Sequence, residues 1–267
     1  KPLKKNKIKV KVKRLSKDNG CDLIYSLVEE PECYYLLVMN APRKHMMLPQ
    51  PEVLPPSTGI EPAPAVVLAP PTAVMEQVTA TDDWDNLSRQ VSGCRSCRLC
   101  ETRTRTVLER GNRQAPLMLI GEGPGEQEDL QGRPFVGPAG KLLDAMLTAT
   151  GWSPEQDVYV CNVVKCRPPG NRNPQPDEMA ACQAYLQAQI RLVRPRLIVA
   201  LGRVAAQSLL ATELSIARLR GQTHQYAGYP LVVTYHPAYL LRNLPDKARA
   251  WQDLCRIRRE LDTQVPG

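Results

Sequence analysis

Four short apolar runs, at residues 117–120, 158–161, 197–201 and 231–234, set the frame for this chain. Each is continuous rather than alternating, the pattern of a strand buried on both faces. Helical patterns fall between and after them, at 138–150, 176–193, 203–210 and 246–261. Pro138 and Pro176 open two of these, a position where a missing N–H costs nothing. A further helix starts at Thr81-Asp82-Asp83-Trp84, which has capping residues, and runs to about Ser92. Strands alternating with helices predict a parallel sheet covered on both faces. In such a sheet ligands bind at the carboxyl ends of the strands. Those ends are Gly121-Glu122, Asn162, Gly202 and Tyr235-His236.

The first of these ends is the most distinctive. Residues 121–143 read GEGPGEQEDLQGRPFVGPAGKLL. The glycines let backbone come close to a ligand. Glu122, Glu126, Glu128 and Asp129 crowd carboxylates into the same connection, which suits free phosphates poorly. Phe135, the only phenylalanine of the chain, follows in the same loop. A glycine-lined acidic loop with one flat ring suits a neutral planar ligand.

The charge is unevenly placed. The first twenty residues carry nine Lys or Arg and one acid, against 35 and 27 in the whole chain, so this arm accounts for the net charge of +8. It is either a phosphate-seeking tail or a solvated extension, and the basic balance alone does not make the rest a nucleic-acid binder. Within residues 1–40, Ile8-Lys9-Val10-Lys11-Val12-Lys13 alternates as a strand does, and 23–28 and 34–39 could pair with it. Residues 41–80 hold nine prolines and read as a disordered, semi-stiff linker. The globular domain is expected over 81–267. No apolar stretch is long enough for a membrane span and no signal-type core follows the basic start. Nine cysteines, odd in number and irregularly spaced, suit a reducing cytoplasm better than a disulfide framework.

Three constellations carry chemistry. Cys94 and Cys97 form a two-ligand clip that Cys100 extends to CxxCxxC; Cys166 and Cys182 follow singly. Four thiolates suit zinc or an iron–sulfur cluster, and spacing does not choose between them. Cys161 and Cys255 read as buried free thiols. His236 ends a strand and is followed by Pro237-Ala238-Tyr239-Leu240-Leu241-Arg242, where adjacent bulky residues beside an arginine are the type of wedge that enters a base stack; the plainer reading is that the leucines anchor a helix start. Asn162 offers a donor and an acceptor, the pairing that reads a pyrimidine edge, and precedes a proline-stiffened loop with Arg167, Asn171 and Arg172.

These segments, taken together and in this order from about Trp84 to Leu261, closely resemble the family 4 (thermostable-type, iron–sulfur) uracil-DNA glycosylases: Gly121-Glu122-Gly123-Pro124-Gly125 with Glu128-Asp129, the run from Gly132 to Gly137, Asn162 to Pro169, Asn171-Arg172, and His236 to Arg242. The resemblance does not reach residues 1–80. It implies a three-layer α/β/α sandwich with a four-stranded parallel sheet, and a [4Fe-4S] cluster on Cys94, Cys97, Cys166 and Cys182, structural in role, with Cys100 left out of the set. It implies an enzyme that turns uracil out of DNA, hydrolyses its glycosidic bond and leaves an abasic site, working as a monomer on uracil-containing DNA. By resemblance Phe135 stacks on the base, Asn162 pairs with its edge, Gly123 lines the pocket, and His236 donates to the uracil carbonyl. Glu128 orients water or offsets sugar charge, Glu122 assists, and Asn171 supports the water or the DNA. Leu240, Leu241, Arg242 and Arg172 meet the DNA. Two other readings stand beside it: a glycosylase for another deaminated base, and a cluster-bearing nucleic-acid binder or redox sensor without such activity.

Overall fold

The computed structural model describes residues 11–14, 24–27 and 83–263. The chain divides into two units, Lys1–Val66 and Val67–Gly267. In the first, β1 (Lys11–Arg14) pairs antiparallel with β2 (Ile24–Leu27), Lys11 opposite Leu27. The expected strand at 34–39 and the proline-rich tract lie outside the described residues.

The second unit is built on a six-stranded sheet in the order β3-β5-β4-β6-β8-β7. Its middle is the expected parallel set: β5 (Val158–Asn162), β4 (Leu117–Gly121), β6 (Leu197–Leu201) and β8 (Tyr229–Thr234). The four-stranded expectation is corrected by two antiparallel edges. β3 is Arg110–Gly111 alone, too short to show a period. β7 (Thr223–Tyr226) joins β8 through Ala227 and Gly228, with φ of 51° and 84°. Two positive φ angles make the tight turn that matches strand twist, but Ala-Gly lacks the Asn-Gly or Asp-Gly signature that marks it in sequence.

Both sheet faces are covered. Met118, Ile120, Tyr159, Cys161, Ile198, Ala200, Leu231 and Val233 pack in one core with residues of the helices Trp84–Gly93, Pro176–Val193 and Arg203–Leu210. The alternate residues Leu117, Leu119, Val158, Val160, Leu197 and Val199 are buried as well. The helix Asp246–Thr263 packs on β8, and the helix Pro138–Ala149 packs on the short helix Pro237–Leu240. Asp83 caps the first helix, its carboxylate accepting from the Asn86 N–H at 2.6 Å. Among the described residues no helix is long and apolar enough to cross a membrane.

The order of strands sets the site. From β4 the chain crosses to β5 on one side, and from β6 it crosses to β8 on the other. The crevice between the carboxyl ends of β4 and β6 is therefore a topological switch point, where open α/β sheets bind ligands.

Candidate active site

Residues from the strand ends and the loop that carries Phe135 meet at that crevice. The Phe135 and His236 rings lie 5.5 Å apart at 31°. A Cβ on Gly121 would sit 2.4 Å from Asn162 Oδ1 and 2.7 Å from Phe135 Cζ, so only glycine leaves the ring and the amide in place. Asn162 Oδ1 is buried and has no hydrogen-bond partner. Phe135 holds a φ of 55°, rare for an aromatic residue. Gly123 abuts the same wall, since a Cβ there would lie 2.8 Å from Val164 Cγ2. The backbone zips these loops together: Val163 N–H donates to the Gly121 carbonyl and Val164 N–H to that of Glu122.

The imidazole has a defined tautomer. Ala238 N–H donates to His236 Nδ1 at 3.1 Å, so the neutral ring carries its proton on Nε2. Burial pushes the His236 pKa down to about 4, with the Arg242 charge acting in the same direction and Glu128 against it. Gly202, at φ 91°, makes room for this ring; a Cβ there would lie 2.7 Å from His236 Cβ.

The carboxylates divide by partner. Burial raises the Glu122 pKa to about 6, opposed by the charge of Arg203 across the switch point. Glu128 Oε1 accepts from the N–H groups of Val136 and Gly137, both at 2.9 Å. The Asp129 carboxylate, buried, accepts from Thr104 N–H at 2.9 and 3.0 Å and from Arg105 N–H at 3.3 Å.

Several expected contacts fall elsewhere. Leu240 is 0% exposed, so it is a core residue and not a wedge. Adjacent leucines on a helical turn face different ways, and it is Leu241, 41% exposed, that reaches solvent, beside exposed Arg242. The Arg172 guanidinium is bound in two places to the buried Glu178 carboxylate at 2.8 and 2.6 Å, which removes it as a free phosphate contact. Glu178 itself closes the capping box of its helix with Gln175. Asn171 lies on the exposed turn Pro169–Asn171, its side-chain oxygen accepting from Arg167 Nε at 2.7 Å.

A second cluster gathers thiols. Cys94 and Cys97 are half-buried and Cys166 and Cys182 buried. Cys166 lies in the fields of Cys97 and Cys94, and Cys182 in those of Cys166 and Cys97. Burial pushes the Cys182 thiol up to about 12. Arg103, which no motif announces, donates from Nη1 to Cys166 Sγ at 3.1 Å and from Nη2 to the Cys94 carbonyl at 2.7 Å. Cys100, also half-buried, lies in the field of Cys97. Among the described residues no group of three His, Cys, Asp or Glu side chains could hold a metal ion.

Comparison with known proteins accords with this geometry. The model of the uracil DNA glycosylase superfamily matches residues 108–255, which span β4 to β8 and every strand end at the crevice. A type-4 uracil-DNA glycosylase of Thermotoga maritima is 47% identical over 165 residues, 61% of this chain and 85% of that protein. One of Saccharolobus solfataricus is 39% identical over 191 residues, 68% of this chain and 88% of that protein. One of Archaeoglobus fulgidus is 44% identical over 168 residues, 60% and 84% respectively. The chain belongs to the uracil DNA glycosylase superfamily and, within it, to the type-4 uracil-DNA glycosylases.

Proposed function

We propose that this chain excises uracil from DNA by hydrolysing the N-glycosidic bond, and that the unpartnered Asn162 Oδ1 is what selects the base. Uracil presents an N3–H that this oxygen can accept; cytosine presents a lone pair there and would leave two acceptors facing each other. A site built around a hydrogen bond rejects the analogue that lacks it far more strongly than an apolar pocket does.

The steps follow from the residues. The deoxyuridine leaves the stack, and Leu241 enters the gap. Phe135 packs on the base face. As the C1′–N1 bond breaks, its electron pair leaves with the base, and negative charge develops on the uracil carbonyl oxygen. The His236 Nε2–H donates to that oxygen as a neutral imidazole, a preorganised donor that needs no change of protonation. Water adds to the cationic sugar carbon and gives up its proton. Glu122, half-buried beside Arg203, is the carboxylate for that water, because Glu128 Oε1 already holds two backbone amides. Glu122 releases that proton to solvent, the uracil anion takes one up, and uracil and an abasic site remain.

The four thiols fit a [4Fe-4S] cluster as a donor set: four soft sulfurs in one field, with the Arg103 guanidinium beside them to offset thiolate charge. When bound, the cluster supplies a cross-link between the segment 94–103, the Cys166 loop and the Cys182 helix. Cys166→Ser is expected to yield protein with lost iron; full iron content would exclude Cys166. The function is tested by release of free uracil from a uracil-containing oligonucleotide, lost in His236→Ala with iron content retained. Binding of that DNA without abasic sites would refute the enzyme.

A further inference from the structure

Glu128 and Asp129 are neighbours on a six-residue helix, Glu126–Gln131, that sits between the cysteine segment and the pocket. Consecutive helical side chains point about 100° apart. Here that divergence sends one carboxylate to each side. Asp129 takes the N–H groups of Thr104 and Arg105. Glu128 takes those of Val136 and Gly137. All four amides lie outside regular strands and α-helices, so the carboxylates are what satisfies them, and bonds to an ionised acceptor are the strong ones.

Each clasped segment has a reason to need holding. Thr104 follows Arg103, whose guanidinium joins Cys166 Sγ to the Cys94 carbonyl. Val107 N–H donates to the Lys165 carbonyl at 2.8 Å. Gly132 takes the left-handed φ of 74° that ends the helix, beside Arg105 and Thr106, which a Cβ there would meet at ordinary contact distances of 3.6 and 3.7 Å. On the other side, Val136 follows Phe135, whose positive φ persists only where its surroundings over-determine it. The Glu128 carboxylate lies across Gly125 and Gly137, where added Cβ atoms would be 2.8 Å from Oε2 and 3.4 Å from Oε1.

We propose that Glu128 and Asp129 are positioning residues that form a two-sided clasp, coupling the order of the cysteine segment to the strained turn that presents Phe135 to the base. The inference rests on the proposed uracil pocket for its functional consequence, but the clasp itself is a property of the backbone amides. Coupling of this type is reciprocal. An ordered thiol centre tightens the pocket, and an occupied pocket protects the cysteine segment.

Amide hydrogen exchange on the metal-loaded protein tests this at peptides covering 103–107 and 134–139. Without any ligand, Asp129→Asn, which keeps one acceptor oxygen, is expected to speed exchange at both peptides, and Asp129→Ala to speed it further, with iron content unchanged. Faster exchange at 103–107 alone overturns the clasp. In turnover, Asp129→Ala is expected to raise the inhibition constant of free uracil about tenfold, inside the ordinary range of site-to-site coupling, with kcat little changed. Asn should restore part of the loss. Should Asp129→Ala fail to load iron, the wild-type protein decides: saturating uracil slows exchange at 134–139 and at 103–107 if the clasp is real, and at 134–139 only if it is not. A wild type that neither binds uracil nor releases it refutes the proposed function and leaves the ligand-free exchange in Asp129→Asn to judge the clasp.

Discussion

Asn162 and Lys165 lie three residues apart, each 1% exposed, and their polar atoms have opposite fates. Lys165 Nζ donates to the Asn162 carbonyl and to Gln189 Oε1, both at 2.5 Å. Gln189 Nε2 in turn donates to the Leu108 carbonyl and the Tyr159 hydroxyl. Every named group in that network is matched. Asn162 Oδ1, at the same depth, is matched by nothing in the protein. Glu109 Oε2 and Arg110 Nε share that condition, but their side chains are otherwise engaged, with Arg113 and Asp144. Buried polar groups are nearly always paired. The difference between 162 and 165 therefore separates a polar group that serves the fold from one that the fold leaves unpaired, which the proposed function assigns to a ligand.

That contrast can be broken by mutation. The largest effect belongs to the donor opposite the reserved acceptor. His236→Ala should lower kcat by about a hundred- to a thousandfold, the usual cost of one preorganised donor, measured as abasic sites formed per enzyme under single-turnover conditions. Next comes the pair itself. Lys165→Met leaves two buried acceptors without a donor and should cost about 3 kcal/mol or more, whereas Asn162→Ala removes an atom that had no partner and should cost less than about 1 kcal/mol while abolishing preference for uracil. Denaturant unfolding and excision assays on both variants decide it; the reverse ranking would show that Asn162 serves the fold. The same logic applies to the neighbouring leucines. Leu240→Ala should destabilise by about 2–5 kcal/mol as a core cavity. Leu241→Ala should stay within about 0.5 kcal/mol of wild type and instead reduce the fluorescence rise of a base analogue placed beside uracil in a duplex. A stable Leu240→Ala would return that residue to the wedge.

Much of this architecture is legible in the sequence because burial on both faces writes long apolar runs and 3.6-residue periods. The four central strands and the helix Pro176–Val193 stand where those patterns place them. What escapes is set by single atoms or single turns. A two-residue strand such as β3 has no period. The β7–β8 turn uses Ala where the recognisable residue is Asn or Asp. The acidic loop shows its carboxylates but not their directions, and direction is what ties Glu128 and Asp129 to backbone amides. Arg172 beside Asn171 looks like a phosphate ligand until Glu178, six residues on, is seen to hold it. Arg103 carries no motif, since a hydrogen bond to a thiol across 63 residues leaves no local trace.

The finest test is titration, because pocket groups and network groups should respond differently to pH. On the proposed mechanism Glu122 must be ionised to take a proton from water, and its pKa stands at about 6 against an ordinary 4.5. Excision should therefore fall about fivefold between pH 6 and pH 5. His236, at about 4, stays neutral throughout that window and contributes nothing to the limb. Glu122→Gln should lower the plateau and flatten the limb; a limb that survives would belong to another group. Stability carries the opposite signature for the two residues. The unfolded chain binds the His236 proton at 6.5 and the folded chain only at about 4, so this histidine favours the folded state above 6.5 and that advantage is lost as pH falls toward 4. Glu122 binds its proton more readily when folded, so its contribution is fully present below 4.5 and is lost as pH rises through 6. Over the overlap from 4.5 to 6 the two oppose each other, and removing one exposes the other. The unfolding free energy of His236→Ala, measured by denaturant titration, should rise relative to wild type as pH is lowered from 6.5 to 4, by a difference on the order of 3 kcal/mol at the acid end. A variant that tracks wild type across that range would mean the imidazole is charged in the folded protein, and a neutral Nε2–H donor would no longer describe the site.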